Sequence, residues 1–426
     1  MNIKALRGTY DILPPQSSLW EQVEQTAREI FSLFGYSQIR TPIFEQTQLF
    51  SRSIGEATDI VSKEMYTFPD RKGRSITLRP EATAPVVRAF LEHKLYTRPM
   101  PQRLFYIGPM FRYERPQAGR NRQFYQLGTE ILGSTHPFYD AESIALAVNF
   151  FKNAGIKDMT VKINSVGDTE SKQNYTRILK SYFKDKLDNL CPDCTTRYES
   201  NTLRMLDCKV ASCRQIIKDA PPIDQNLNEE SKIHFDTVKS YLDTMGINYT
   251  LDPCLVRGLD YYTNTIFEIA HNHLGSQDAL GGGGRYNNLV KQLGGPDTGA
   301  VGFAVGIDRL IIVLEQLLNQ DYIPKNSLDL YILNMDNAMF LKNVKLLHLL
   351  RTDKIKTDLC TEQKSFKAQM RTANKLGARF VLIQGQNEID KNIVKIKNME
   401  TGTEEDIPVT EQDSLSQRLA ERIRKS

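Results

Sequence analysis

The segment GPMFRYERPQAGRNRQFYQLGTE, residues 108–130, packs four arginines, four aromatic residues and two glutamates into one short stretch. Arginine's planar fork suits phosphate or carboxylate, and a ring such as Phe124 can stack on a purine or on a guanidinium. Fixed cations beside rings therefore point to a nucleotide or another anion. A hairpin with a solvated charged face would give a similar pattern, and an isolated Arg-rich hairpin is more simply read that way. Three further stretches shift the balance: LRPEATAPVVRAF, LVRGLDYYTNTIFE and VGFAVGIDRL each set charges inside sequence that otherwise looks like core. No Ser/His or Cys/His arrangement suggests a protein nucleophile. The glycine run at 281–284 lacks the GK[ST] ending and the GxGxxG spacing of phosphate loops, so those glycines are expected to let backbones or a ligand approach closely.

These residues must be carried by a chain of 426 residues, long enough for two or three domains. Apolar residues make up 40% and charged residues 25%, and no apolar run is long enough to span a bilayer. A net charge of +4 excludes a packaging protein but permits local basic surfaces. The start, MNIKALRGTYDILPP, lacks the apolar core of a signal peptide, and six cysteines suit a reducing compartment, so a cytoplasmic location is expected. SSLWEQVEQTAREIFSLFG has helical spacing, and YSQIRTPIFE reads as a strand interrupted by Pro42. RLFYIGPMFRYE and QFYQLGTEIL read as strands around the loop PQAGRNR, a long antiparallel hairpin. Alternation would place Arg112 and Glu114 on one face, Phe111, Tyr113 and Arg115 on the other, and Phe124, Gln126 and Glu130 together across the loop. MTVKINSV and the stretch 249–270 supply further strands, and the charged stretch 169–248, with four cysteines, reads as a helical insertion. NQDYIPKNS is a linker candidate, and beyond it LDLYIL, IKTDLC and RFVLIQG alternate with helical stretches as βαβ units do.

Taken together, FRYE with Phe124 downstream resembles the second signature motif of class II aminoacyl-tRNA synthetases, and GFAVGIDRL resembles the third. TLRPEATAP, LVRGLDYYTNTIFE, GGGGRYNNLV and RGTYDILPP are similar to segments of histidyl-tRNA synthetases. The resemblance implies an α+β fold: a class II catalytic domain over 1–325 with an antiparallel sheet flanked by helices, the helical insertion at 169–248 within it, and a C-terminal α/β anticodon-binding domain over 326–426. It implies ATP-dependent activation of L-histidine with Mg2+, transfer to tRNA(His), and a homodimer built around the first motif near Pro42. By the family pattern Arg112 and Arg257 are catalytic and approach the α-phosphate from opposite sides, Arg120 and Arg309 bind the outer phosphates, Phe124 stacks on adenine and Glu114 helps read the base. Glu81, Thr83 and Gln126 would receive the histidine ammonium, Glu130 and Tyr262 the imidazole, Tyr261 and Tyr286 would wall the pocket, and Ala82 belongs to the same histidine-binding set. Ala118 and Asn121 depart from the family pattern, where lysine and tyrosine are common. A regulatory subunit that binds histidine without catalysis, or a general RNA-binding protein, are the alternatives; the former commonly lacks the anticodon domain and degrades RGLDYY, and the latter leaves the clustered motifs unexplained.

Two features stand beside the resemblance. Lys364, Lys367, Arg371, Lys375 and Arg379 fall three or four apart, a basic stripe for RNA if the segment is helical, with Phe366, Met370 and Ala373 as its apolar side. Cys191, Cys194, Cys208 and Cys213 could hold a structural zinc ion; the competing reading, ranked first on spacing alone, is small apolar thiols.

Overall fold

Val23, Ala27 and Phe31 recur every fourth residue and are buried along one side of α1 (Gln16–Leu33), and Gly35, at φ +77°, follows its end. The Phe31 ring meets Phe105, Phe150 and Phe303 at centroid distances of 5.4, 5.7 and 6.2 Å, so the helix is fastened to the main sheet by aromatic edges. The structure, a computed structural model, describes residues 3–55, 58, 60–274, 278–317, 328–362, 364–409 and 412–425; the linker expected at 319–327 lies outside them. The chain forms two compact units, Met1–Ile12 with Trp20–Asn319 and Leu13–Leu19 with Gln320–Ser426.

In the larger unit Pro42 separates β1 (Ser37–Gln38) from β2 (Phe44–Gln46). Then come α2 (Thr47–Ile54), β3 (Tyr66–Pro69) and β4 (Ser75–Leu78), and β2, β4 and β3 make a small antiparallel sheet. After α3 (Thr83–Glu92), β5 (Gln102–Phe111) and β6 (Gln123–Leu132) form the expected hairpin, in register from Gln102 opposite Leu132 to Phe111 opposite Gln123. The strand expected to run through Glu114 stops at Phe111. Tyr113 N–H turns away to the Glu64 carbonyl at 2.7 Å, and the segment to Gly119, at φ +69°, is loop. Next are α4 (Phe138–Asn153), β7 (Thr160–Ser165), α5 (Thr169–Phe183), α6 (Pro192–Ser200), α7 (Ala211–Ile217), α8 (Glu229–Thr244) and β8 (Thr250–Leu251). The unit closes with β9 (Thr263–Ala270), β10 (Ala279–Arg285), α9 (Leu289–Gln292), β11 (Ala300–Gly306) and α10 (Ile307–Leu317). The eight-stranded sheet has the order β1-β5-β6-β11-β10-β9-β7-β8, antiparallel from β5 to β7 with short parallel edges.

The insertion α5–α8 is tied at its base by reciprocal caps. Asp168 Oδ1 accepts from Ser171 N–H at 2.8 Å, Asn228 Oδ1 accepts from Ser231 N–H at 2.9 Å, and Asn228 Nδ2 donates to Asp168 Oδ2 at 2.9 Å. Its first and last helices therefore start side by side. In the middle of the main sheet, Gly283 carries the closest approach: a Cβ there would sit 2.0 Å from the Gly302 carbonyl oxygen. The expectation that these glycines admit another backbone holds, within a strand.

The smaller unit has β12 (Leu330–Ile332), α11 (Asn337–Thr352), β13 (Thr357–Leu359), α12 (Phe366–Lys375), β14 (Phe380–Ile383), α13 (Gln386–Asp390), β15 (Ile393–Asn398), β16 (Glu404–Pro408) and α14 (Gln412–Arg424). The sheet order is β13-β12-β14-β15-β16, parallel through the expected βαβ strands and antiparallel for the last two. The basic stripe is shorter than its spacing suggested. Ser365 caps α12 and the helix ends at Lys375, so only Lys367, Arg371 and Lys375 lie on it, while Lys364 and Arg379 fall outside. Nor is Phe366 on a buried face, being 44% exposed; Gln369 is buried instead, its Nε2 bonded to the Asn334 and Lys364 carbonyls, both at 2.8 Å.

One buried ion pair was not foreseen. Arg285, fully buried at the end of β10, bonds the Asp140 carboxylate through Nε and Nη2 and the Ser134 carbonyl through Nη1 at 2.8 Å. Burial alone would raise the Asp140 carboxyl, but Arg285 and His234 outweigh it and hold it below its ordinary range. Arg285→Met should therefore cost about 3–5 kcal/mol in chemical denaturation, since the Asp140 charge loses its main partner. A loss below about 1 kcal/mol would show that the pair is not what joins α4 to the sheet.

Candidate active site

A cleft of about 1540 Å3 opens on the larger unit, lined among others by Arg112, Glu114, Arg120, Phe124, Gln126, Arg257, Glu268 and Arg309. All four arginines singled out in the sequence thus face one space, and each is tethered. Arg112, just past β5, donates from Nε to the Pro80 carbonyl at 2.9 Å, and its guanidinium lies 5.3 Å from the Phe124 ring centre. Arg257 donates to Glu268 Oε2 at 2.8 Å, passing close to Gly282, where a Cβ would come within 2.8 Å of Nη1. Arg309, in the first turn of α10, reaches the Ala279 carbonyl at 2.8 Å and the Gly119 carbonyl at 3.3 Å, and Arg120 pairs with Glu114 at 3.3 Å. Burial, followed by repulsion from Arg120, lowers the pKa of Arg309. The guanidinium still stays charged, so the crowding favours an incoming polyanion.

The predicted ammonium and imidazole residues lie behind this surface. Glu81, Ala82, Thr83, Glu130, Tyr261, Tyr262 and Tyr286 are all core residues, none more than 8% exposed. Glu81 caps α3 from the preceding turn, accepting from Thr83 N–H at 2.7 Å and Ala84 N–H at 2.9 Å. Burial pushes its carboxyl up, against those N–H groups and the charge of Arg112. Glu130, on β6, is not the exposed strand carboxylate that its residue type would suggest. It accepts from Thr83 Oγ1 at 2.7 Å and from the Tyr286 hydroxyl, and burial pushes its carboxyl from 4.5 up to about 8. Tyr261 meets Tyr262 and Tyr286 at 4.8 and 5.5 Å between ring centres. Tyr262 makes no bond to Glu130 among the described residues. Gln126 joins the two groups: it lines the cleft, and its Oε1 is buried without a hydrogen-bond partner among the described residues. An orphan acceptor beside a carboxylate-rich floor fits a cationic donor.

Several residues escaped the sequence reading. Asp308, next to Arg309, accepts from the Tyr10 hydroxyl at 2.9 Å, Asn121 Nδ2 at 3.1 Å and Tyr125 N–H at 2.8 Å, so it ties the N-terminal RGTYDILPP segment to the hairpin loop. Asn121, one of the two departures from the family pattern, is therefore engaged. Tyr106 is buried beside Gly128, where a Cβ would lie 2.3 Å from its hydroxyl oxygen. Lys172 of α5 donates to the Asp260 carbonyl at 2.8 Å and Asn201 to Asp260 Oδ1 at 2.7 Å, so the insertion holds the LVRGLDYY segment. Asp308 and Tyr106 lie inside stretches that the sequence already marked, whereas Lys172 and Asn201 belong to the charged insertion and carried no signal of their own.

Residues 8–310 match the family described as histidyl-tRNA synthetase, and residues 329–418 that described as anticodon binding domain. The chain belongs to the histidyl-tRNA synthetase family. A histidine-tRNA ligase of Halothermothrix orenii is 50% identical over 408 residues, covering 96% of this chain and 97% of its own length, and that of Bacillus velezensis is 47% identical over 409 residues, covering 95% and 96%. The apo histidyl-tRNA synthetase of S. aureus superposes with a TM-score of 0.81 at 42% identity, covering 98% of this chain and 100% of that one. An ATP phosphoribosyltransferase regulatory subunit/histidyl-tRNA synthetase from Bacillus halodurans shares the fold at a TM-score of 0.64 and 24% identity, covering 87% of this chain and 97% of that one. Class II synthetase architecture, an antiparallel sheet among helices, is what the larger unit displays. No helix among the described residues is long and apolar enough to cross a membrane.

The Glu130 carboxyl gives a pH signature. Its folded pKa lies above its unfolded one, so the native state holds the extra proton between about 4.5 and 8, and stability falls as pH rises through that window. The slope attributable to this group approaches about 1.4 kcal/mol per pH unit at most. Glu130→Gln should flatten the decline in urea-denaturation free energy between pH 5 and pH 8; parallel profiles for the two proteins would show that Glu130 is already ionised at neutral pH.

Proposed function

We infer that the chain joins L-histidine to ATP as histidyl-adenylate with release of pyrophosphate, then passes the histidyl group to the 3'-terminal ribose of tRNA(His). The observation that carries this reading is four tethered arginines around one cleft, in a chain that matches histidine-tRNA ligases over nearly its whole length. The first step sets a carboxylate against the α-phosphate, negative charge meeting negative charge, so fixed cations aimed at the reacting centre are the main requirement. Arg112 and Arg257 approach that centre from the loop that follows β5 and the segment before β9, while Arg120 and Arg309 serve the outer phosphates. Phe124, already against Arg112, offers its ring to adenine, and Glu114 lies beside it to read the base. Glu114 and Glu268, two of the carboxylates that line the cleft, would hold the magnesium ion that accompanies ATP, which would offset part of the phosphate charge.

Histidine enters over Gln126. Its ammonium meets the Gln126 oxygen, with Glu81, Ala82 and Thr83 at the start of α3, and its imidazole meets Glu130 and Tyr262 between the walls of Tyr261 and Tyr286. Because these groups are buried, the tyrosines must part to receive the ring. Residues 326–426 serve the anticodon arm; the family match over 329–418 and the exposed Lys367, Arg371 and Lys375 support this. Ile43 and Phe44, apolar yet 43% and 57% exposed around Pro42, support a homodimer through the first motif. The relatives and the absence of a spanning helix among the described residues support a cytoplasmic location. The anticodon-domain match and the intact Arg257–Tyr262 segment favour the enzyme over a non-catalytic histidine-binding subunit.

Exchange of labelled pyrophosphate into ATP should require histidine and no other amino acid; exchange absent, or indifferent to histidine, would overturn the reading. Arg257→Ala should slow single-turnover adenylate formation by about 100-fold or more with the fold intact, the scale for loss of one fixed transition-state donor. A rate near wild type would remove Arg257 from the clamp.

A further inference from the structure

The insertion brings together four thiols that spacing alone would leave as small apolar residues. Cys191 immediately precedes α6, Cys194 lies in its first turn, Cys208 follows on the connection to α7, and Cys213 lies near the start of α7. Their sulfurs all lie within 4.8 Å of one another, with Cys191 Sγ and Cys208 Sγ 3.8 Å apart. A zinc ion bound by thiolates at about 2.3 Å in a tetrahedron sets its sulfurs about 3.8 Å apart, so one edge already has the required length and the longest would contract by about 1 Å. All four are free thiols, and 3.8 Å is far beyond a disulfide bond of about 2.05 Å. Cys191 N–H donates to Cys213 Sγ at 3.2 Å, the type of outer contact that orients a metal ligand. Three of the four are buried, yet the helices around them have only 9 and 7 residues, too short to be stable without tertiary support.

We propose that Cys191, Cys194, Cys208 and Cys213 bind one structural zinc ion that closes the segment 191–213 and so holds Asn201 and Arg204 against the loop preceding β9. The link to that loop is direct. Asn201 Nδ2 donates to Asp260 Oδ1 at 2.7 Å, and a Cβ on Gly258 would stand 2.7 Å from Arg204 Nη1, so Gly258 leaves room for that guanidinium beside Arg257. Both residues sit between the two cysteine pairs in sequence, and both line the cleft. Four thiols around one ion convert two short helices and their connection into a cross-linked unit, and binding releases the thiol protons as the thiolates form.

Protein purified under reducing conditions without chelator should carry about one zinc per chain by elemental analysis, because structural thiolate sites bind tightly enough to stay filled. Replacing zinc with cobalt should give the intense visible bands of tetrahedral cobalt with thiolate charge transfer, a signature that random surface binding lacks. Cys360→Ser, in the other unit, should keep the metal, and Cys213→Ser should lose it and speed tryptic cleavage within 184–218 by about 10-fold or more, as local opening becomes easier. Should that variant not fold, the zinc content and cobalt spectrum of the unaltered protein decide alone. Zinc below about a tenth of an equivalent with no cobalt–thiolate spectrum, or an intact mass showing a disulfide within the cluster, would overturn the proposal.

Discussion

Four guanidinium groups can face one cleft only if the chain holds them there against their mutual repulsion. Each tether uses a different element: Arg112 on the Pro80 carbonyl before α3, Arg257 on Glu268 of β9, Arg309 on the Ala279 and Gly119 carbonyls, and Arg120 on Glu114. The cations are held by protein groups, and fixed cations are the condition under which electrostatic stabilisation is strongest. The antiparallel sheet is the frame for this. Its hairpin delivers Arg112 and Phe124 from adjacent strand ends, and its glycine-rich β10 leaves space beside Gly282 for Arg257.

Behind the cations lies a floor of the opposite character. Glu81 and Glu130 are buried carboxylates held by neighbours on α3 and β10's end, and the tyrosines around them are dry. A floor of this kind discriminates by hydrogen bonding: a ligand that cannot pair these groups leaves them unsatisfied in a low-dielectric setting. Cationic cleft and acidic floor meet at Arg112 and Gln126, the first bonded to the turn that bears Glu81, the second presenting an unpaired oxygen.

Much of this was legible in the sequence because charged stretches that are ordinary when taken alone, a helix entry, a strand with a tyrosine pair and a helix with one arginine, together resemble the motifs of one family. The structure gathers the arginines of FRYE, RGLDYY and GIDRL around one cleft, whereas Arg79 of RPEAT is buried on the Pro109 and Thr41 carbonyls. Strand limits were less legible: Arg112 and Glu114 reach the cleft from a loop, since Tyr113 finds a partner outside the hairpin. Tertiary pairs were not legible at all. Nothing local links Asp308 to Tyr10 or Arg285 to Asp140, because those bonds span 298 and 145 residues. The basic stripe of α12 failed at both ends for a local reason, the Ser365 cap and the Gly377 turn at φ +64°, signals weaker than the spacing of the charges.

The most direct measurement is a crystal structure of the full chain with a non-hydrolysable histidyl-adenylate analogue. The arrangement predicts Arg112 and Arg257 on opposite sides of the phosphate, adenine on Phe124, the ammonium on the Gln126 oxygen and the imidazole between Glu130 and Tyr262. An analogue seated with its phosphate away from both arginines, or with its imidazole outside the Glu130 floor, would contradict it.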